Sequence, residues 1–241
     1  WNDGRAKMSV KEITGNIFTS SCQTIVNTVN CVGVMGAGIA LECRLRYPEM
    51  HEKYISLCND NKIETGLLWL YKSHKRWVLN FPTKNHWKYP SKKEYLYTGL
   101  EKFCDSYKEK GIEAIAFPLL GADKGGISQE VSLSIMRSYL DKIDLEIEIY
   151  KYDKCAKDDL FDQIKEKLLS KSIEVISTET NIRKNYVEKL INAIQNPDIV
   201  QISQLINVEG VGLKTLEKVF IYATNTIADT DRTTPIQRSL F

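Results

Sequence analysis

Three stretches of this chain carry residues whose types and spacing could do chemistry. In the first, an apolar strand from Thr24 to Val29 carries Asn27 and leads through Asn30 into Cys31-Val32-Gly33-Val34-Met35-Gly36-Ala37-Gly38-Ile39-Ala40. A helix is predicted from near Ala37 to Arg46, ahead of Pro48. A strand, a glycine loop and a helix start make a phosphate cradle, because glycines let backbone N–H groups approach an anion and the helix end adds partial positive charge. The spacing matches neither G-x-G-x-x-G nor G-x-x-x-x-G-K-[ST], so nucleotide binding by those two routes is not indicated. The second stretch repeats the pattern. An apolar strand from Glu113 to Leu120, including Pro118, opens into Gly121-Ala122-Asp123-Lys124-Gly125-Gly126, and a helix follows from Ser128 to Leu140. The third, Lys72 to Lys93, has seven lysines or arginines and no acid, with Trp77, Phe81, Trp87 and Tyr89 interleaved. Cations among flat rings suit a single strand of nucleic acid, with charge for phosphates and rings for bases. Trp77 and Phe81 lie on a strand and are expected in the core, whereas Trp87 and Tyr89 lie in a loop. Lys84, judged only as one lysine of a basic loop, is a phosphate contact.

The elements that must position these residues follow in order. Ser9 to Ile13 alternates as a short strand, and Glu49 to Cys58 has helical spacing. Leu67 to Lys72 and Trp77 to Phe81 form a hairpin about Ser73-His74-Lys75-Arg76. Tyr95 to Lys108 is an amphipathic helix closed by Gly111, and Leu145 to Tyr150 is a further strand. Helices alternating with apolar strands predict an α/β sheet, parallel in its core and covered on both faces. Two glycine loops leaving strand C-termini then converge on one sheet edge, where ligands bind in open α/β folds.

Composition bounds the rest. The 241 residues, 43% hydrophobic and 27% charged, describe an ordinary globular protein, and a net charge of +2 requires any basic site to be local. No apolar run reaches membrane-spanning length and no signal peptide is visible, so a cytoplasmic protein is expected. The six cysteines lack C-x-x-C pairs and the three histidines lack ligand spacing, so neither a metal nor a cofactor is predicted.

Val26 to Asn30, then Gly33 to Leu41, then Asn80-Phe81-Pro82-Thr83-Lys84-Asn85-His86-Trp87 resemble a macrodomain, and more narrowly the DarG-type DNA ADP-ribosyl glycohydrolases, antitoxins that oppose DarT toxins. The resemblance covers roughly residues 8 to 155. It implies a mixed central sheet flanked by helices, with ADP-ribose across its crest. Asn30 would contact the distal ribose with Asn27 near it, and Gly33, Val34, Met35, Gly36, Ala37, Gly38 and Ile39 would face Pro118, Gly121, Ala122, Asp123, Lys124, Gly125 and Gly126 around the pyrophosphate. Lys84 matches the family's catalytic lysine, and His86, Trp87 and Lys88 would contact single-stranded DNA. Attack by an amine on the anomeric carbon requires neutral Lys84, with its pKa lowered by partial desolvation and by Lys88, Lys92 and Lys93. A related eukaryotic glycohydrolase uses an aspartate in the second glycine loop. That register here holds Gly125, with Asp123 two residues earlier.

From about Ser172 short helical patterns take over, at Val187 to Ile194, Ile199 to Ile206 and Lys214 to Tyr222. The expected organisation is a macrodomain at 8–171, a small all-α module at 172–222 and a flexible tail at 223–241. Asn207 to Val219 resembles a helix-hairpin-helix turn, which implies DNA contact through Gly210 and Gly212. Over 172–241, eight acids outnumber seven basic residues, which argues against a free-standing DNA binder. The final Gln237-Arg238-Ser239-Leu240-Phe241 resembles a sliding-clamp docking peptide through Gln237, Leu240 and Phe241. The function expected is removal of ADP-ribose from DNA bases. The alternatives are an ADP-ribose reader without turnover and a protein that captures a toxin or clamp, with hydrolysis of O-acetyl-ADP-ribose as a side activity.

Overall fold

The computed structural model describes residues 10–228 and 238–240, and the chain packs as two units. One holds residues 10–35, 49–152 and 238–240; the other holds 36–48 and 153–228.

In the first unit, the segment Thr24 to Val29 is buried along almost its whole length, as a strand covered on both sides must be. It lies at the centre of a seven-stranded sheet: β1 (Val10–Gly15), β2 (Thr24–Asn30), β3 (Trp69–Tyr71), β4 (Trp77–Lys84), β5 (Ala114–Pro118), β6 (Glu146–Tyr152) and β7 (Arg238–Leu240). The spatial order is β1-β6-β5-β2-β4-β3-β7. The run from β1 to β4 is parallel, and β3 and β7 each add antiparallel. In chain order α1 (Gly38–Arg46) precedes α2 (Pro48–Asn59), α3 (Lys93–Ser106) and α4 (Gln129–Leu140). Leu79, Phe81, Leu96, Leu100, Phe103 and Phe117 are fully buried in one core, with the Phe103 and Phe117 rings edge-on at 5.2 Å. Gly99 lets α3 approach that core, since a Cβ there would stand 2.2 Å from the Phe81 ring. Parallel pairing then brings the C-terminal ends of β2, β4 and β5 to one edge, with Asn30 in register with Lys84.

The second unit is helical: α1, α5 (Phe161–Leu169), α6 (Ile173–Thr180), α7 (Lys184–Gln195), a 3₁₀ turn (Ile202–Asn207) and α8 (Leu213–Ala228). Leu41, Leu45, Phe161, Ile164, Leu168, Val187, Leu190, Ile194, Leu205 and Leu216 share its core. Arg46 lies within 3.4 Å of Glu42, 2.8 Å of Asp158 and 2.7 Å of Asp159.

Several boundaries differ from those expected. The helical unit begins at 153 rather than 172 and takes α1 as well, because the apolar faces of α1 and α5 complete its core. Residues 223–228 are helix rather than tail, since Val219, Phe220 and Ala223 keep one buried face going. The segment Ile199 to Ile206 forms a 3₁₀ turn instead of an α-helix, so the expected helix-hairpin-helix has a single α-helix after its glycines. Gln237 and Phe241 lie outside the described residues. Leu240 sits on β7 opposite Trp69, in a sheet and not in a free docking peptide.

Candidate active site

The candidate site of the first unit is built at the edge where β2, β4 and β5 end. Asn30 closes β2, and its side chain shapes the loop that follows. Its Oδ1 accepts from the backbone N–H of Val32 at 3.0 Å and of Val34 at 3.3 Å, while Nδ2 donates to the Val34 carbonyl at 2.6 Å. The buried Tyr54 hydroxyl donates to the Asn30 carbonyl at 2.5 Å. Gly33 takes a φ of +79°, a left-handed turn that favours glycine. Met35 is buried, whereas Val34 is exposed. Gly36, Ala37, Gly38 and Ile39 belong to the helical unit, where Ala37 precedes α1 in extended conformation and Gly38 has a φ of +56°.

Asn27 is not at this edge. It is fully buried, donates through Nδ2 to Asn80 Oδ1 at 2.9 Å, and stands three residues, roughly 10 Å, back along the strand.

Two hydrogen bonds, one from backbone and one from a side chain, join the strand ends. The Cys31 N–H donates to the Asn85 carbonyl at 3.2 Å and the Cys31 thiol to the Lys84 carbonyl at 3.4 Å. Burial, with Cys58 and Glu64 nearby, pushes that thiol up to about 12, so it is no nucleophile at neutral pH. Lys84, the last residue of β4, is partly buried, and its Nζ donates to the Lys124 carbonyl in the second glycine loop. Partial burial holds its pKa below the ordinary lysine value, while the Asp123 carboxylate works in the opposite direction. Desolvation therefore acts as expected, but Lys88, Lys92 and Lys93 are not among the causes of the shift.

The second loop leaves β5 at Pro118. Gly121 and Gly126 have φ of +67° and +80°, and the Ile127 N–H donates to the Gly121 carbonyl at 3.0 Å. A Cβ on Gly125 would stand 2.2 Å from the Gly121 oxygen and 2.5 Å from Ser91 Oγ, so no aspartate fits that register in this loop. Ala122 is partly buried, and Asp123 and Lys124 are exposed. The Ser91 N–H donates to the Gly125 carbonyl at 2.9 Å, which fastens the loop after β4 to the loop after β5. Ser91 and Tyr54 had no signal in the sequence, since their roles come from hydrogen bonds between segments far apart in the chain.

Beyond Lys84 the chain turns outward. His86 stacks on Trp87 with centroids 5.6 Å apart, and Lys88 Nζ lies 5.2 Å from the Trp87 ring. Trp87 is 50% and Tyr89 66% exposed, while Phe81 is buried and Trp77 lies under Lys72 Nζ at 3.8 Å. Lys84, Asp123, Lys124, Gly125 and Gly126 are thus brought together, with His86, Trp87 and Lys88 flanking Lys84 along the chain. Gly210 and Gly212 are in the helical unit, in the turn before α8. Gly210 has a φ of +83° and the space beside Gly212 is open. Among the described residues no cluster of histidine, cysteine and acidic side chains could hold a metal ion, and no helix is long and apolar enough to cross a membrane.

Comparison with known proteins supplies the family. The Macro domain family model matches residues 26–136. A Thermus aquaticus protein named DNA ADP-ribosyl glycohydrolase is 36% identical over 119 residues, 48% of this chain and 33% of that one. The chain therefore spans about a third of that curated relative's length. The solved macrodomain of Mycobacterium tuberculosis DarG aligns with a TM-score of 0.58 and 34% identity, covering 59% of this chain and 97% of that one. Thermosipho africanus DarTG, solved in complex with ADP-ribose, aligns with a TM-score of 0.55 and 30% identity, covering 59% of this chain and 42% of that one. A solved macrodomain matched almost from end to end, on a sheet whose edge carries the two glycine loops, shows that the chain belongs to the macrodomain family.

Proposed function

We propose that this protein hydrolyses the N-glycosidic bond between ADP-ribose and a base of single-stranded DNA, with Lys84 as the nucleophile. The observation that carries this reading is Lys84 itself: an amine at the sheet edge, whose partial desolvation lowers its pKa, beside a glycine loop suited to phosphate. Naming of the Thermus relative as a DNA ADP-ribosyl glycohydrolase and the ADP-ribose bound to the Thermosipho protein support the same chemistry.

In this reading the turn that begins at Gly33, up to Met35, and the loop Gly121–Gly126 cradle the pyrophosphate through backbone N–H groups. The Lys84 amine attacks the anomeric carbon of the distal ribose, the carbon–nitrogen bond to the base breaks, and the base nitrogen takes up a proton. Water then releases the ribose and returns the lysine. His86, Trp87 and Lys88 hold the strand by stacking and charge. A DarT-like DNA ADP-ribosyltransferase is the counterpart that supplies the substrate.

The test is single-turnover release of ADP-ribose from ADP-ribosylated single-stranded DNA. Wild type is expected to release it and Lys84→Ala to lose about 10³-fold or more while still binding ADP-ribose. Equal rates would reduce Lys84 to a substrate contact. Binding without release by either protein would make this a reader.

A further inference from the structure

Behind the Lys84 edge, in the same unit, Cys31, Asn61, Ile63, Glu64, Thr65 and Asn85 line a half-open cavity of about 320 Å³. That lies within the range of small-ligand sites. We propose that this cavity receives the nucleobase that carries the ADP-ribose, a subsite that rests on the hydrolase reading above.

Placement is the first reason. The sheet order β5-β2-β4-β3 puts both glycine-loop strands, β2 and β5, on one side of β4. Lys84 Nζ reaches to that side, to the Lys124 carbonyl. The cavity adjoins the same residue: Asn85 follows Lys84 directly, the Cys31 thiol donates to the Lys84 carbonyl, and residues 61–65, which lead into β3, close the wall. An anomeric carbon in reach of Lys84 holds its leaving group beside the same residue. The leaving group bonded to that carbon is the base.

Chemistry is the second. A base presents a flat apolar face and an edge of donors and acceptors. Ile63, which is buried, supplies apolar floor. The Asn61 and Asn85 amides, the Thr65 hydroxyl and the Glu64 carboxylate supply both hydrogen-bonding senses. Asn85 Nδ2 already donates to the Tyr95 hydroxyl at 2.9 Å, which fixes the side chain and leaves its oxygen to accept. Continuity is the third. Two and four residues beyond Asn85, Trp87 and Tyr89 expose their rings, the platform on which neighbouring bases of one strand stack.

The experiment measures the affinity of free ADP-ribose and of an ADP-ribosylated oligonucleotide in a Lys84→Ala background, with and without Glu64→Ala or Thr65→Phe. Thr65→Phe fills the cavity and Glu64→Ala removes an acceptor. The expected result is tighter binding of the modified oligonucleotide than of ADP-ribose. Each substitution should reduce that advantage about five- to tenfold, the worth of one well-made contact, and leave ADP-ribose affinity within about twofold. Unchanged affinities, or a loss equal for both ligands, would overturn the proposal, and so would an oligonucleotide that binds no tighter than ADP-ribose. If the wild type releases no ADP-ribose but the affinity pattern holds, the hydrolase reading fails and the base subsite stands.

Discussion

In the proposed reaction Lys84 must lose a proton before it can attack, so activity should rise with pH through its pKa. Burial lowers that pKa and Asp123 raises it. Replacing Asp123 by Asn removes the charge that favours the ammonium form, so the pKa falls and the acidic limb of the kcat/KM profile should move to lower pH. A limb that stays in place would disconnect the two residues. Gly125 carries a steric prediction. Gly125→Ala puts a methyl against the Gly121 carbonyl and should weaken ADP-ribose binding by about tenfold or more, measured by calorimetry. Asp123 has no such restriction, because it is exposed on the same loop.

At the scale of elements, the site depends on how closely α3 lies on β4. Gly99→Ala would drive a methyl into the Phe81 ring, and overpacking of this kind should cost about 1–3 kcal/mol in denaturant unfolding. Phe81 precedes Lys84 by three residues on β4, so a displaced ring should also lower turnover. In the helical unit the Arg46 side chain is only 7% exposed among Glu42, Asp158 and Asp159. Burial alone would raise the Asp158 carboxyl, but the Arg46 charge brings it below its ordinary value, whereas burial holds Glu42 above its own. Arg46→Met strips the cation from buried carboxylates and should destabilise that unit by about 3–5 kcal/mol. A loss near zero would show that water compensates the acids.

For the whole molecule, net charge is +2, so general attraction to DNA is weak, and under the proposed function the local stretch from Lys72 to Lys93 would supply it. Affinity for unmodified single-stranded DNA should therefore fall with salt, and Lys88→Ala should flatten the log–log slope by about 0.7, the share of one phosphate. An unchanged slope would place the strand elsewhere. The same stretch shows how far sequence reading carries. The exposure of Trp87 and Tyr89 and the burial of Phe81 were legible, because strand alternation and loop position separate rings that must be covered from rings that need not be.

The sequence by itself determined the α/β sheet, the glycine loops at the ends of β2 and β5, and Lys84 within its motif, since each is written in local periodicity or in residues adjacent along the chain. Tertiary structure alone decided the rest. Asn27 carries the same side chain as Asn30, yet only Asn30 stands at a strand end, and pairing with Asn80 removes Asn27 into the core. The same holds for α1, which leaves the sheet unit because its apolar face completes a helical core built from residues after 153. The pKa of Lys84 is set by burial and by Asp123 some forty positions away, not by the lysines beside it in the chain. Segments distant in sequence meet only when the backbone is folded, and desolvation, close packing and hydrogen bonds between strands act over those distances in space.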